Sequence, residues 1–275
     1  MLLFPNCKIN LGLNITRKRE DGYHDLETIF YPVQWQDALE GIKSEVKSEK
    51  SEVIFTSSGL PISGDTSSNL CVKAYDLLKK DFPNLPSVQL HLHKIIPMGA
   101  GLGGGSADGA YTLELLNNLC QLGLSEQQLI HYALQLGSDC PFFIVNQPCW
   151  ATGRGEIMEE ITLDLSAYTF VIVHPQIHMS TASAFEQITA RAPDRSIKEI
   201  IQQPIETWKG ALWNDFEAGV SRQYPEIAEI KDILYAEHAV YASMSGSGSA
   251  VYGIFPKNSQ PNLPFPPQYL VHQTN

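Results

Sequence analysis

Residues 97–106 read Pro97-Met98-Gly99-Ala100-Gly101-Leu102-Gly103-Gly104-Gly105-Ser106, five glycines within seven positions. Before this run, Val88, Leu90 and Leu92 alternate with Gln89, His91 and His93, the two-residue period of a strand. After it, Ala107, Ala110, Leu113, Leu115 and Leu116 recur at helical spacing from Ser106 to Leu119. Strand, glycine loop and helix therefore follow directly. Glycines let backbone N–H groups approach a ligand closely, and a helix N-terminus adds unpaired N–H groups and partial positive charge, so the arrangement suits a phosphate. As a mere flexible turn, five glycines would be an entropically costly choice.

Three nucleotide-binding motifs compete for this loop, and each lacks support from its neighbours. A Walker A loop ends in Gly-Lys-Ser/Thr, whereas Gly104 is followed by Gly105 and Ser106. Gly99 to Gly104 satisfies G-x-G-x-x-G, but a dinucleotide fold needs a strand ending in an acidic residue about 20 positions later. Here Leu122-Gly123-Leu124-Ser125-Glu126 leads into another helix instead. Neither His-Arg-Asp nor Asp-Phe-Gly, the marks of a protein kinase, occurs.

Working outward, Cys7, Ile9, Leu11, Leu13 and Ile15 alternate with Lys8, Asn10, Gly12 and Asn14, which predicts a half-buried strand with a polar stripe. A turn at Glu20-Asp21-Gly22 precedes Tyr23 to Tyr31, and strand character resumes at Val53-Ile54-Phe55 after a charged stretch around Lys43 to Lys50. Asn69 is placed to cap a helix through Val72, Ala74, Leu77 and Leu78, and Ser125 opens a second helix ending at Gly137. Later come a strand at Tyr168 to His174, a helix from Ser180-Thr181, a helical patch over Lys209 to Glu217 and a helix from Ile227 to Ala236. From Pro256 the tail holds Pro261, Pro264, Pro266 and Pro267, and reads as irregular or extended. No repeat of 20 to 50 residues is visible.

The 275 residues are long enough for one large or two modest domains, and 43% hydrophobic with 18% charged residues excludes a disordered chain. A formal charge of −11, from 19 Lys and Arg against 30 Asp and Glu, argues against a nucleic-acid partner. No apolar run approaches the roughly 18 residues a membrane span needs, and the start lacks a basic leader, so a soluble cytoplasmic protein is expected. Five scattered cysteines without C-x-x-C spacing suggest neither disulfides nor zinc. His91 and His93 share a strand face, but no third ligand is placed, so an outward face is expected and no metal site.

Three segments together resemble the GHMP kinases, the superfamily of galactokinase, homoserine kinase and mevalonate kinase. Pro5-Asn6-Cys7-Lys8-Ile9-Asn10-Leu11-Gly12-Leu13 is similar to their first motif, Pro97 to Ser106 to the second, and Met244-Ser245-Gly246-Ser247-Gly248-Ser249-Ala250-Val251-Tyr252-Gly253 to the third. Within the superfamily, Lys8-Ile9-Asn10-Leu11, Asp21-Gly22-Tyr23-His24, Gly103-Gly104-Gly105 and Gly137-Ser138-Asp139-Cys140-Pro141 resemble the members that phosphorylate the 2-hydroxyl of a cytidine-diphosphate-linked methylerythritol, in the non-mevalonate isoprenoid pathway. In one respect the chain departs from them: Ser106-Ala107-Asp108-Gly109-Ala110 stands where they carry Ser-Ser-Asp-Ala-Ala.

The resemblance implies an α+β fold of two lobes, with an N-terminal domain over 1–150, a smaller C-terminal domain over 151–275, and ATP and acceptor in the cleft between them. It implies ATP as co-substrate, Mg²⁺ carried by the nucleotide, a cytidine-diphosphate-linked polyol as acceptor and no nucleic-acid or membrane partner; monomer and homodimer stay open. Asp139 is the implied base, although its place after Leu136-Gly137 equally suits a turn or cap. Lys8, on the polar stripe, is implied to orient the acceptor hydroxyl and offset phosphoryl charge; a solvent-facing strand lysine is the alternative. The ATP site is expected to comprise Asn69, Lys94, Pro97, Met98, Gly99, Ala100, Gly101, Leu102, Gly103, Gly104, Gly105, Ser106 and Ala107. Asn69 also reads as a helix cap and Lys94 as a strand-edge charge. Asn10, Tyr23, His24, Thr181 and Phe185 are expected to hold the acceptor, with an aromatic pair sandwiching the pyrimidine; Phe185 also suits a core position. Ser245, Gly246, Ser247 and Gly248 are expected to form a small-residue loop closing on the glycine loop. The alternatives are another GHMP kinase, acting on mevalonate, homoserine or a sugar, and a catalytically silent nucleotide-binding protein.

Overall fold

The computed structural model describes residues 1–44, 52–186 and 188–274. The chain runs through β1 (Leu2–Leu3), β2 (Asn6–Lys18), β3 (His24–Gln36), β4 (Ala38–Lys43) and β5 (Val53–Gly59). There follow α1 (Leu70–Asp81), β6 (Val88–Lys94), α2 (Gly104–Cys120), α3 (Glu126–Leu136) and α4 (Cys140–Val145). Next come β7 (Cys149–Thr152), β8 (Ile157–Glu160), β9 (Tyr168–His174), α5 (Thr181–Glu186) and α6 (Ile197–Ile200). The chain closes with α7 (Glu217–Gln223), α8 (Glu226–Ala236), β10 (Tyr241–Met244), β11 (Val251–Pro256) and β12 (Leu270–Gln273). This is the expected α+β mixture. Two compact units result: Met1–Cys7 with Gln34–Met98 and Gly103–Asn146, and Lys8–Val33 with Gly99–Leu102 and Gln147–Asn275.

In the first unit a sheet of order β1-β4-β6-β5 pairs β4 antiparallel to β6, Leu39 opposite Leu92, and β5 parallel to β6, Phe55 opposite Leu90. Helices α1 and α2 pack on each other, burying Tyr75, Leu78, Leu113 and Leu116. Their starts differ in a way that matters for function. The Asn69 side chain accepts the Cys71 N–H at 2.8 Å, and Ser125 with Gln128 forms a reciprocal capping box on α3. Helix α2 has Gly103 at its cap, left-handed at φ 70°, a residue with no side chain to satisfy the first N–H groups.

In the second unit one sheet has the order β2-β3-β7-β8 and another β10-β11-β9-β12. Leu13 and Ile15 of β2, Val171 and Val173 of β9, Val251 and Phe255 of β11 and Ile227, Ile230 and Leu234 of α8 share one core.

Two expectations are corrected. The polar positions of β2 are not a solvated stripe: Asn6 to Ile15 are buried throughout, Lys8 and Asn10 being 4% and 2% exposed. The helical patch at Lys209 to Glu217 is instead a 3-10 turn, Ile205–Gly210, followed by an irregular segment before α7. There Leu13 N–H donates to the Trp213 carbonyl and Asp215 N–H to the Leu13 carbonyl, at 2.9 and 2.8 Å, so pairing with β2 takes the groups a helix would use. The proline-rich tail ends in β12, an edge strand paired antiparallel with β9, Val271 opposite Val173; its prolines all precede that strand. Helix α4, begun by Cys140-Pro141, was too short to announce itself by periodicity. The charged stretch from Lys43 to Lys50 lies mostly outside the described residues. As expected, His93 is exposed and His91 half-buried; they bond to Ser58 and Thr56 hydroxyls.

Candidate active site

All three motifs meet at one carbonyl oxygen in the second unit. The Gly101 carbonyl accepts the Ser245 hydroxyl at 2.9 Å and the Lys8 ammonium at 3.3 Å. Ser245 in turn accepts the Asn10 N–H at 3.2 Å. Gly101 has φ +77°, and a Cβ there would lie 1.9 Å from the Ser245 carbonyl oxygen, so only glycine permits the approach. The Ala250 N–H adds a bond to the Ala100 carbonyl at 3.1 Å. The expected closure of the third-motif loop on residues 99–102 is thus observed.

Lys8 Nζ also donates to Asn10 Oδ1 at 2.6 Å and lies 4.8 Å from the centre of the Phe30 ring. Asn10 donates to Thr28, and Thr28 to the Gly12 carbonyl, fixing the carboxamide so that its oxygen faces the ammonium. The Tyr252 hydroxyl donates to the Asn10 carbonyl at 2.8 Å. A solvent-facing Lys8 is therefore excluded. The Lys8 ammonium is thus buried and oriented in part by the Asn10 carboxamide, where a positive charge can act on an anion.

The His24 and Phe185 rings stack 4.8 Å apart at 18°, leaving no room for a third ring between them. Phe185 also meets Phe216 edge-on at 4.9 Å, so it packs against the core and presents one face to His24. Tyr23 is 56% exposed, with the Arg154 guanidinium 5.0 Å from its ring centre. Thr181 is the first residue of α5.

In the first unit, Pro97 is buried and Met98 42% exposed, while Gly103 to Ser106 turn into α2. Burial pushes the Cys140 thiol up to about 12, opposed by a hydrogen bond from Ser106, which brings the end of the glycine run beside residue 140. Asp139 precedes α4, half-buried, with φ −86° and ψ −16°. Its side chain makes no capping bond; Oδ1 accepts Ser138 Oγ at 3.4 Å. The cap alternative is thereby removed. Asn69, by contrast, does cap α1, and Lys94 is wholly buried, its ammonium between Asp37 and Asp108.

The model of the GHMP kinases N terminal domain matches residues 69–147, and that of the GHMP kinases C terminal domain residues 196–263. A 4-diphosphocytidyl-2-C-methyl-D-erythritol kinase of Bacteroides fragilis is 52% identical over 255 residues, covering 93% of this chain and 92% of that protein. The chain belongs to the GHMP kinases, among the 4-diphosphocytidyl-2-C-methyl-D-erythritol kinases. A second such relative, from Bacteroides thetaiotaomicron, is 53% identical over the same shares of the two chains. A crystal structure of 4-(cytidine 5'-diphospho)-2C-methyl-D-erythritol kinase superposes with a TM-score of 0.79 at 30% identity, covering 92% of this chain and 90% of that one. The protein is accordingly an ATP-dependent small-molecule kinase.

Several residues of this kinase were not legible in sequence. Asn214 Nδ2 donates to the Met244 and Gly246 carbonyls at 2.8 and 2.7 Å, holding the third-motif loop. The His178 ring lies 3.3 Å from where a Gly99 Cβ would stand. Asp37 and Asp108 sit on Lys94. Asn214, His178 and Asp37 carry no local motif, because each acts on residues distant in the chain, whereas Asp108 lies within the second-motif segment but its pairing with Lys94 was not foreseen.

Proposed function

We propose that this kinase transfers the γ-phosphoryl group of ATP to the 2-hydroxyl of 4-diphosphocytidyl-2-C-methyl-D-erythritol, giving the 2-phosphate and ADP. The observation that carries the reading is the meeting of Lys8, Gly101 and Ser245, which ties the three motifs to one point. Backbone N–H groups of residues 99–106 and the uncapped start of α2 cradle the phosphates. Asp139 accepts the hydroxyl proton as the acceptor oxygen bonds to phosphorus and the bond to ADP breaks. Lys8, held by Asn10, offsets charge on the phosphoryl oxygens. Tyr23, His24 and Phe185 hold the cytosine, the His24–Phe185 pair opening to admit or flank the base.

Mg²⁺ would enter on the nucleotide's phosphates and neutralise their charge; among the described residues no group of three or more His, Cys, Asp or Glu side chains is arranged to hold a metal. The N-terminal domain is assigned to 1–150 and the C-terminal to 151–275, a division supported by the matches at 69–147 and 196–263 falling on either side. A cytoplasmic setting and an absence of nucleic-acid partners belong to the same reading. Among the described residues no helix is long and apolar enough to cross a membrane, and no disulfide joins the cysteines.

The test is ADP release by the purified protein across an acceptor panel. Turnover is expected with the cytidine-diphosphate-linked acceptor and not with mevalonate, homoserine, sugars or free methylerythritol. Equal turnover on an acceptor without the nucleotide would overturn the assignment, and ATP binding with no turnover on any acceptor would favour a silent nucleotide binder.

A further inference from the structure

Asp37, Lys94 and Asp108 form a chain of charge inside the first unit, 0%, 0% and 3% exposed. Lys94 Nζ donates to Asp108 Oδ2 at 2.7 Å and to Asp37 Oδ2. The other Asp37 oxygen accepts the N–H groups of Ile95 and Ile96, at 2.6 and 2.9 Å. Asp37 is itself held, its N–H donating to the Pro5 carbonyl at 2.8 Å. These residues sit at chemically informative places. Ile95 and Ile96 lead into Pro97, where the glycine loop begins; Asp108 lies on α2 just after the loop ends. A Gly104 Cβ would stand 3.0 Å from Lys94 Nζ and 2.8 Å from the Ile96 side chain, so the ammonium lies directly beneath the first residue of α2.

We propose that Asp37 is a positioning residue which, through Lys94 and Asp108, fixes the two ends of the glycine loop and so sets the affinity for ATP. The proposal rests on the reading of that loop as the ATP phosphate site.

Charge counting supports it. One ammonium faces two carboxylates, so it is neutralised and offers phosphate no net attraction; what it offers is rigidity where backbone N–H groups must be held in place. Asp108 Oδ1 is buried without a hydrogen-bond partner. Burial pushes the Asp108 carboxyl up to about 7, the Asp37 charge also raising it and Lys94 opposing both. The groups facing it are Lys94 from β6, Asp37 before β4 and Cys71 from α1, whose thiol burial holds protonated; the Thr112 hydroxyl and Cys71 thiol both bond the Asp108 carbonyl. Above neutral pH a second buried negative charge therefore forms close beneath the loop, and it opposes an incoming polyphosphate.

The experiment is steady-state kinetics of the full chain with ATP and the cytidine-linked acceptor. Asp37→Asn is expected to raise KM for ATP about tenfold or more, with kcat and KM for the acceptor little changed. Asp108→Asn, which keeps a neutral side chain in place, is expected to fold and to lose the rise in KM for ATP that the unsubstituted enzyme shows between about pH 6 and 8. Titration of ATP itself affects both proteins equally. If Asp37→Asn does not fold, Asp108→Asn decides. Unchanged KM for ATP in folded Asp37→Asn, or an identical pH dependence in Asp108→Asn, overturns the positioning role. Failure of the unsubstituted enzyme to bind ATP would instead overturn the loop reading on which the proposal stands.

Discussion

The contact between Gly101 and Ser245 gives a prediction whose size follows from geometry. In Gly101→Ala, the backbone must hold φ +77°, which costs an L side chain about 1–2 kcal/mol. The new methyl would also stand 1.9 Å from the Ser245 carbonyl oxygen and 2.8 Å from its carbon. Both are backbone atoms, so no rotamer change relieves the overlap, and the second-motif and third-motif loops must part. Overpacking of this kind costs about 1–3 kcal/mol more. The sum, about 2–5 kcal/mol, corresponds to a fall in Tm of several degrees or more. Gly123→Ala supplies the control: φ is +71°, with no atom within 4 Å of the added Cβ. That variant bears only the backbone term, about 1–2 kcal/mol. Because the displaced Gly101 carbonyl also accepts from Lys8, Gly101→Ala is expected to lose kcat as well, while Gly123→Ala keeps its phosphoryl transfer. Thermal denaturation followed by circular dichroism, with ADP release on the same samples, measures both. Equal losses of Tm in the two variants would refute the claim that the loops are locked by backbone contact.

Two further outcomes follow from the second unit. Phe185→Ala removes a ring stacked on His24 and is expected to raise KM for the cytidine-linked acceptor roughly 5- to 100-fold, base stacking being worth about 1–3 kcal/mol, with KM for ATP unchanged; equal changes in both constants would place Phe185 in the core only. His174 is buried with neither ring nitrogen hydrogen-bonded, and burial pushes its imidazole down to about 4. Between about pH 6.5 and 4 the unfolded chain therefore binds the proton that the folded chain refuses, so stability falls as pH falls through that window. His174→Leu should flatten this acid loss in urea denaturation, and an unchanged slope would show that the ring finds a partner.

What was legible in sequence depended on how local each determinant is. The strand before the glycines, the Asn69 and Ser125 caps and α8 are written in near neighbours, and they appear where expected. The polar positions of β2 were misread because alternation reports side-chain direction, not what covers it: Lys8 and Asn10 point to an interior built by residues more than 90 positions away. Similarly, Lys209 to Glu217 has helical spacing, yet Leu13 of β2 takes the Trp213 carbonyl and the Asp215 N–H for a bridge with this segment. In the candidate site, the glycine loop, Lys8 and the third-motif serines were visible as motifs. Asp37 was invisible because nothing near Trp35-Gln36-Asp37 announces that its carboxylate will hold Ile95, Ile96 and Lys94. Buried ionic chains join distant segments, and their sequence signature is a single charged residue in an apolar neighbourhood.

The central claim is phosphoryl transfer with Asp139 as the proton acceptor, and ³¹P NMR of a mixture of ATP and 4-diphosphocytidyl-2-C-methyl-D-erythritol tests it most directly. The unsubstituted enzyme should give ADP and a new phosphomonoester signal in equal amounts. Asp139→Asn should bind ATP with similar affinity yet form that product at least 10²-fold more slowly, about the contribution of a positioned base. Product formation by Asp139→Asn at the unsubstituted rate, or ADP without the phosphomonoester, would contradict the account.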